Sequence, residues 1–155
     1  MCFFGKQRYI AAIACLKKAL LLGPFEWVIS FNLGLVYLNT EQYVSAFHFF
    51  SAAINLKSDF AHSYMYLGTT LSKLEDFDNA CIAYERAIEM SPDEWLFHLN
   101  YAIMLRKMND LEQATKHFLT FLDKSKDLDD DKLLEEDVVA ARMALERDLL
   151  GSTTE

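Results

Sequence analysis

Residues 61–94 read AHSYMYLGTTLSKLEDFDNACIAYERAIEMSPDE, and this stretch decides the fold. It contains a Leu-Gly pair and, later, an Ala followed after four residues by an aromatic side chain. Both features recur 34 residues away on either side. The column of small residues comprises Gly34, Gly68 and Ala102, and the column of large apolar residues comprises Leu16, Phe50, Tyr84 and Phe118. A period of this length indicates paired helices that bury their core by stacking on neighbouring pairs.

Three further columns keep the same register. They comprise Ala12, Ala46, Ala80 and Ala114; Tyr9, Tyr43, Phe77 and Leu111; and Ala19, Ala53 and Ala87. A generic helical bundle has no reason to keep one spacing through five columns, and no segment alternates as a strand would. The sequence therefore predicts an all-α fold, with helices near 7–22, 26–38, 42–56, 60–73, 76–90, 94–107, 110–125 and 131–149.

These columns resemble the tetratricopeptide repeat family. The family's Leu-Gly pair in the first helix reads Leu33-Gly34, and its Ala followed by Phe in the second helix reads Ala46 and Phe50. The resemblance implies an α-solenoid, a right-handed superhelix of helical hairpins. The domain boundaries that it predicts are a partial repeat at 1–24, whose first helix is represented only by Met1–Gly5; repeats at 27–60, 61–94 and 95–128; and an acidic linker with a capping helix at 129–150.

Both ends of the array differ from the repeats between them. The first hairpin is truncated, so the apolar face of its second helix is predicted to be partly uncovered, which favours self-association of the isolated chain. This face comprises Tyr9, Ala12, Ile13, Leu16, Ala19 and Leu20. At the other end, a polar-faced cap is favoured over a partner-binding helix, because helical solenoids need capping ends.

The charge balance disfavours two classes of partner. The formal net charge is −8 and no basic cluster is visible, so neither nucleic-acid binding nor electrostatic binding to anionic membranes is expected. No apolar run predicts direct membrane insertion. The cysteines are odd in number and far apart, which is typical of a reducing compartment such as the cytoplasm.

No pattern in the chain predicts catalysis. The histidines occupy four different repeat positions without metal-ligand spacing; they are His48, His62, His98 and His117. Neither a glycine-rich phosphate loop nor a nucleophile motif is present. We therefore predict no catalytic residue, no metal site and no cofactor, and a chain that is not an enzyme.

The predicted binding surface is a concave groove lined by the first helix of each hairpin. Positions two, five, six and nine of the repeats are Val28, Phe31, Asn32 and Leu35; His62, Met65, Tyr66 and Thr69; and Leu96, Leu99, Asn100 and Ile103. This set is mostly apolar and lacks the Lys and Arg side chains with which some family members grip acidic peptide tails. Two interpretations of Asn32 and Asn100 stay open. They either hydrogen-bond the backbone of an extended peptide or satisfy local backbone groups.

Three segments carry a closer resemblance. Residues 1–19, 32–36 and 42–55 resemble the tetratricopeptide subunits of the BBSome, a coat-like complex that carries membrane proteins into and out of cilia. The resemblance implies a non-catalytic scaffold whose partners are a second tetratricopeptide subunit, a β-propeller subunit and a small extended subunit. It also implies location in the cytoplasm and at the cilium, basal body and pericentriolar satellites. The alternatives are a freestanding adaptor for an extended apolar peptide and a repeat segment of an enzyme such as a glycosyltransferase.

Overall fold

The computed structural model describes residues 3–126 and 131–151. All regular structure in these residues is helical, which confirms the predicted fold class. The helices are α1 Phe3–Leu22, α2 Trp27–Asn39, α3 Tyr43–Leu56, α4 Ala61–Lys73, α5 Phe77–Met90, α6 Trp95–Lys107, α7 Leu111–Ser125 and α8 Glu136–Leu145. A 3₁₀ turn, Asp131–Leu134, precedes α8, and a π-helical turn, Glu146–Leu150, follows it.

The chain divides into two compact units between Met90 and Ser91. The first unit contains α1 and the hairpins α2–α3 and α4–α5. The second contains the hairpin α6–α7 and the C-terminal helices.

Each hairpin turns on one residue with a left-handed backbone. These residues are Glu41, Glu75 and Asn109, with φ of 60°, 63° and 65°. The amides that follow them donate to carbonyls five positions earlier, Gln42 to Tyr37, Asp76 to Leu71 and Asp110 to Leu105. This is the Schellman arrangement, which satisfies carbonyl groups left unpaired at a helix end. The second helix of each hairpin therefore begins at a fixed place after the first.

The glycine column lets the two helices of a hairpin approach closely. A Cβ atom added to Gly34 would lie 2.6 Å from Cε1 of Phe50, and one added to Gly68 would lie 2.9 Å from Cδ2 of Tyr84. The aromatic ring of the second helix thus rests directly on the backbone of the first. Both rings are fully buried, so each pair forms the centre of its hairpin.

The structure differs from the predicted helices at both ends. Helix α1 begins at Phe3 rather than near residue 7, so residues 3–5 extend the second helix and do not form the end of a first one. Gln7, the counterpart of the turn residue Glu41, is helical. Five residues are too few for a stable helix of their own, whereas extending α1 adds one hydrogen bond for each residue ordered. The predicted single helix at 131–149 is instead the 3₁₀ turn, α8 and the π-helical turn.

Each unit has its own apolar core. In the first unit, Leu33, Tyr37, Ala46 and Phe50 are buried together, with Ile13, Leu16 and Leu20 of α1 packed against them. In the second, the buried cluster comprises Trp95, Leu99, Ala102, Phe118, Phe121 and Leu145. Val138, Leu149 and Leu150 pack against this second cluster, so the C-terminal helices cover one side of α6 and α7. Residues 129–130 of the predicted acidic linker lie outside the described residues.

Candidate protein-binding groove

Helices α2 and α4 bring the predicted groove residues of the first unit together. The rings of Phe31 and Tyr66, at positions five and six of successive repeats, meet edge to face with centroids 5.7 Å apart. Asn32, Leu35 and His62 are partly exposed, and Val28 is more exposed. The two helices therefore present one apolar surface with a few polar side chains.

Four rings form the centre of this surface, and we call Trp27, Phe31, Phe60 and Tyr66 the aromatic cluster. Ring centroids lie 4.8 Å apart for Trp27 and Phe60 and 5.2 Å apart for Phe31 and Phe60. All four side chains are partly exposed. Trp27 and Phe60 were missing from the predicted site, although they occupy the first and last positions of one repeat. Their aromatic character was the available signal.

The aromatic cluster is held from below by the core. Tyr66 stacks on the buried ring of Phe50 at 5.7 Å and 10°, and Phe31 meets the same ring at 5.8 Å. Rings anchored in this way lose little rotamer freedom when a ligand binds, which lowers the entropic cost of association.

The polar groups beside the cluster already have partners. The hydroxyl of Thr69 donates to the carbonyl of Met65 at 3.1 Å and lies 2.8 Å from the hydroxyl of Tyr84. Burial raises the pKa of Tyr84, which keeps its phenol neutral. The ring of His62 stacks on Phe60 at 5.3 Å. Thr69 therefore serves the hairpin more than the groove.

A single cation lies at the edge of the aromatic cluster. Lys57 Nζ is 5.8 Å from the ring centroid of Trp27 and 2.9 Å from Oδ1 of Asp59. The hydrogen bond and charge of Lys57 hold the pKa of Asp59 below its ordinary value. The rim of the groove is thus close to neutral at this point.

Met65 does not line the groove. Its side chain is 1% exposed, whereas Phe31, at the same repeat position, is partly exposed. Repeat position alone therefore does not decide which side chains are accessible. Met65 acts as a packing residue beneath the surface.

In the second unit, the predicted groove residues lie against the C-terminal helices. Leu99 is 2% exposed and belongs to the buried cluster that contains Leu145. Leu96 and Ile103 are partly buried against the same cluster. The side-chain amide of Asn100 donates to the carbonyl of Leu96 at 2.9 Å. Asn100 therefore satisfies a local backbone group, the second of the two interpretations above.

The sequence did not predict a pair of histidines in the second unit. Nδ1 of His98, on α6, lies 3.1 Å from Nδ1 of His117, on α7, and Nε2 of His98 lies 3.2 Å from the carbonyl oxygen of Pro92. Because a carbonyl only accepts, His98 is protonated on Nε2, and its Nδ1 accepts from His117. Antiparallel helices join these residues although their repeat positions differ. Among the described residues, no group of three or more His, Cys, Asp or Glu side chains is placed to hold a metal ion.

Comparison with known proteins places these helical hairpins in a family. Two tetratricopeptide repeat models match the chain, one at residues 61–94 and one at residues 83–116. The chain is a tetratricopeptide repeat protein. Solved structures agree on the fold: MamA 41-end from Desulfovibrio magneticus RS-1 superposes with a TM-score of 0.74 at 24% identity, over 81% of this chain and 71% of that one.

Curated relatives of this tetratricopeptide repeat protein carry one name. The BBSome complex member BBS4 of Mus musculus is 44% identical over 144 residues, which is 93% of this chain and 28% of the relative. The Bos taurus protein of that name is 48% identical over 118 residues, covering 76% of this chain and 23% of its own length. The chain thus spans about a quarter of the relatives it matches.

A more distant relative is an enzyme. A UDP-N-acetylglucosamine–peptide N-acetylglucosaminyltransferase of Giardia intestinalis is 30% identical over 93 residues, but these are only 6% of its length. In the described part of the chain, no helix is long and apolar enough to cross a membrane.

Proposed function

We propose that this chain is a non-catalytic protein-interaction scaffold within a BBSome-type complex that takes part in the ciliary trafficking of membrane proteins. The observation that carries the proposal is the identity with BBSome complex member BBS4 along nearly the whole chain. The proposed locations are the cytoplasm, the cilium, the basal body and the pericentriolar satellites.

The surface of α2 and α4 is the proposed contact for another subunit. Its aromatic cluster is partly exposed and rigidly backed by Phe50. Asn32 is partly exposed one residue after Phe31 and offers an amide to the backbone of a bound chain. These features suit a small extended subunit laid across the two helices, with a second tetratricopeptide subunit and a β-propeller subunit as further partners.

The alternative function is a freestanding adaptor, which the same apolar surface favours. An adaptor binds a short apolar peptide on its own and loses it on Phe31→Ala. A subunit of a complex instead needs a large interface with several contacts, because a few contacts rarely offset the cost of association.

The two functions are separated by affinity purification of the tagged product of the complete gene from ciliated cells, followed by mass spectrometry. We expect other BBSome subunits in stoichiometric amounts. Val28→Asp, which places a charge beside the aromatic cluster, is expected to lower their recovery. Leu119→Asp is the matched control, because Leu119 is a similarly exposed apolar residue on α7. Recovery of chaperones or unrelated proteins without any BBSome subunit contradicts the scaffold proposal and favours the adaptor.

A further inference from the structure

A second groove lies on the other face of α4. Side chains at 100° intervals put Tyr64, Leu67 and Leu71 opposite the groove residues His62 and Tyr66. The three residues form the floor of a depression of about 490 Å³ walled by α3 and α5. We call this depression the outer groove. It belongs entirely to the first unit.

The outer groove has apolar walls that water reaches. Phe47, on α3, and Ile82, on α5, line it and are 40% and 64% exposed. A neighbouring depression of about 340 Å³ continues the apolar surface through Val44 and Leu74, which are also exposed. Contiguous exposed apolar surface of this kind marks an interaction site more often than isolated apolar residues do.

The secondary structure of the walls selects a helical ligand. Backbone groups in α3 and α5 are hydrogen-bonded within their own helices, so the walls offer no free edge to an extended strand. A helix satisfies its own backbone and needs only side-chain contacts. From Asp76 to Arg86 the wall runs ten residues, or about 15 Å, which matches about ten residues of a bound helix.

Charges at the two ends of the outer groove differ in sign. Asp76 and, in the neighbouring depression, Glu41 lie where α5 and α3 begin. Arg86 lies two to three turns further along α5 and pairs with Glu89 at 3.1 Å. Both members of that pair are mostly exposed, so a ligand carboxylate replaces Glu89 at little cost.

We propose that the outer groove binds an amphipathic helix of a partner protein, with an acidic first turn against Arg86 and a basic last turn against Asp76 and Glu41. Acidic residues stabilise the N-terminus of a helix and basic residues its C-terminus. The ligand helix therefore runs antiparallel to α3 and α5. This site is separate from the aromatic cluster and does not depend on the proposed function.

The test uses the whole chain and two fluorescein-labelled synthetic peptides of 14 residues. One has a Leu stripe at helical spacing, Glu in its first turn and Lys in its last, and the other has the Glu and Lys positions exchanged. Fluorescence anisotropy is expected to show about tenfold tighter binding of the first peptide, since exchange turns attractive pairs into repulsive ones. Ile82→Asp is expected to weaken binding at least tenfold, whereas Leu119→Asp and Val28→Asp leave it unchanged.

Circular dichroism of each variant shows whether folding is intact. Ile82 is mostly exposed, so Ile82→Asp is expected to keep the helical signal of the native chain. Equal affinity for the two peptides, no binding of either at millimolar concentration, or full binding by Ile82→Asp overturns the proposal. Loss of self-association in Ile82→Asp without any effect on peptide binding assigns the outer groove to a second copy of the chain instead.

Discussion

The paired histidines show how single residues acquire chemistry from their neighbours. The hydrogen bond between His98 and His117 exists only while one of the facing nitrogens lacks a proton. Burial lowers the pKa of both rings, and for His117 the pKa falls to about 4 from 6.5. The groups around the pair are Asp93 and Lys124 beside His98, Lys116 beside His117, and the ring of Tyr101 at 4.5 Å from that of His117.

This pair predicts a pH dependence of stability. Because the native rings have lowered pKa values, the unfolded chain binds more protons below pH 6.5, and stability is lost as the pH falls from 6.5 towards 4. We expect the pair to contribute about 1 kcal/mol of this loss, a value reduced for partial exposure. Urea unfolding of wild type and His117→Gln at pH 7.5 and 4.5 measures it.

The variant is expected to show a smaller difference between the two pH values than wild type. Native carboxylates such as Asp93 also have a lowered pKa and titrate in this range, so the comparison between chains isolates the histidine contribution. His48→Gln, at an exposed position, is the matched control and should behave as wild type. An unchanged difference in His117→Gln contradicts the prediction.

At the scale of elements, the C-terminal helices are part of the core of the second unit. Leu145, on α8, is 1% exposed within the cluster that contains Leu99 and Phe121. Arg106, on α6, forms an ion pair with Asp148 beyond the end of α8. Helix α8 and the π-helical turn therefore shield apolar residues of α6 from water, as a capping helix would.

Leu145→Ala is expected to lower the free energy of unfolding by about 2–4 kcal/mol, because it removes buried methyl groups and leaves a cavity. Met143→Ala is the control on the same helix, since Met143 is 64% exposed, and it should change stability by less than about 0.5 kcal/mol. Chemical denaturation monitored by circular dichroism compares the two. Similar losses in both variants would show that α8 does not dock through Leu145.

At the scale of the molecule, exposed apolar side chains gather near the end of α1. Leu21, Leu22 and Phe25 are each more than 80% exposed. The predicted uncovered face of α1 is only partly exposed, because Ile13, Leu16 and Leu20 pack against the core of the first unit. Self-association through α1 stays a proposal, and its best candidates are the residues at this end.

Sedimentation equilibrium across a range of protein concentrations tests it. We expect the average mass of the isolated chain to rise with concentration, since association removes apolar surface from water. Combined Leu21→Asp and Leu22→Asp substitutions are expected to return the mass towards the monomer. A monomeric wild-type chain at every concentration contradicts this prediction.

The sequence by itself determined the hairpin fold. Contacts such as Gly34 with Phe50 join neighbouring helices at a constant spacing, so each repeat records its own packing in its residue types. The repeat register likewise predicted that Phe31 and Tyr66 come from helices facing the same surface, and their rings are in contact. Local, repeated contacts are readable in this way because the same chemistry is required every 34 residues.

Only the tertiary structure decided which side chains remain accessible. Met65 and Leu99 share a repeat position with Phe31, yet both are buried, and Leu99 is covered by α8, which lies outside the repeat pattern. The pairing of His98 with His117 likewise joins unequal repeat positions. Accessibility and pairing depend on the sizes of neighbours distant along the chain, and a periodic pattern does not encode those sizes.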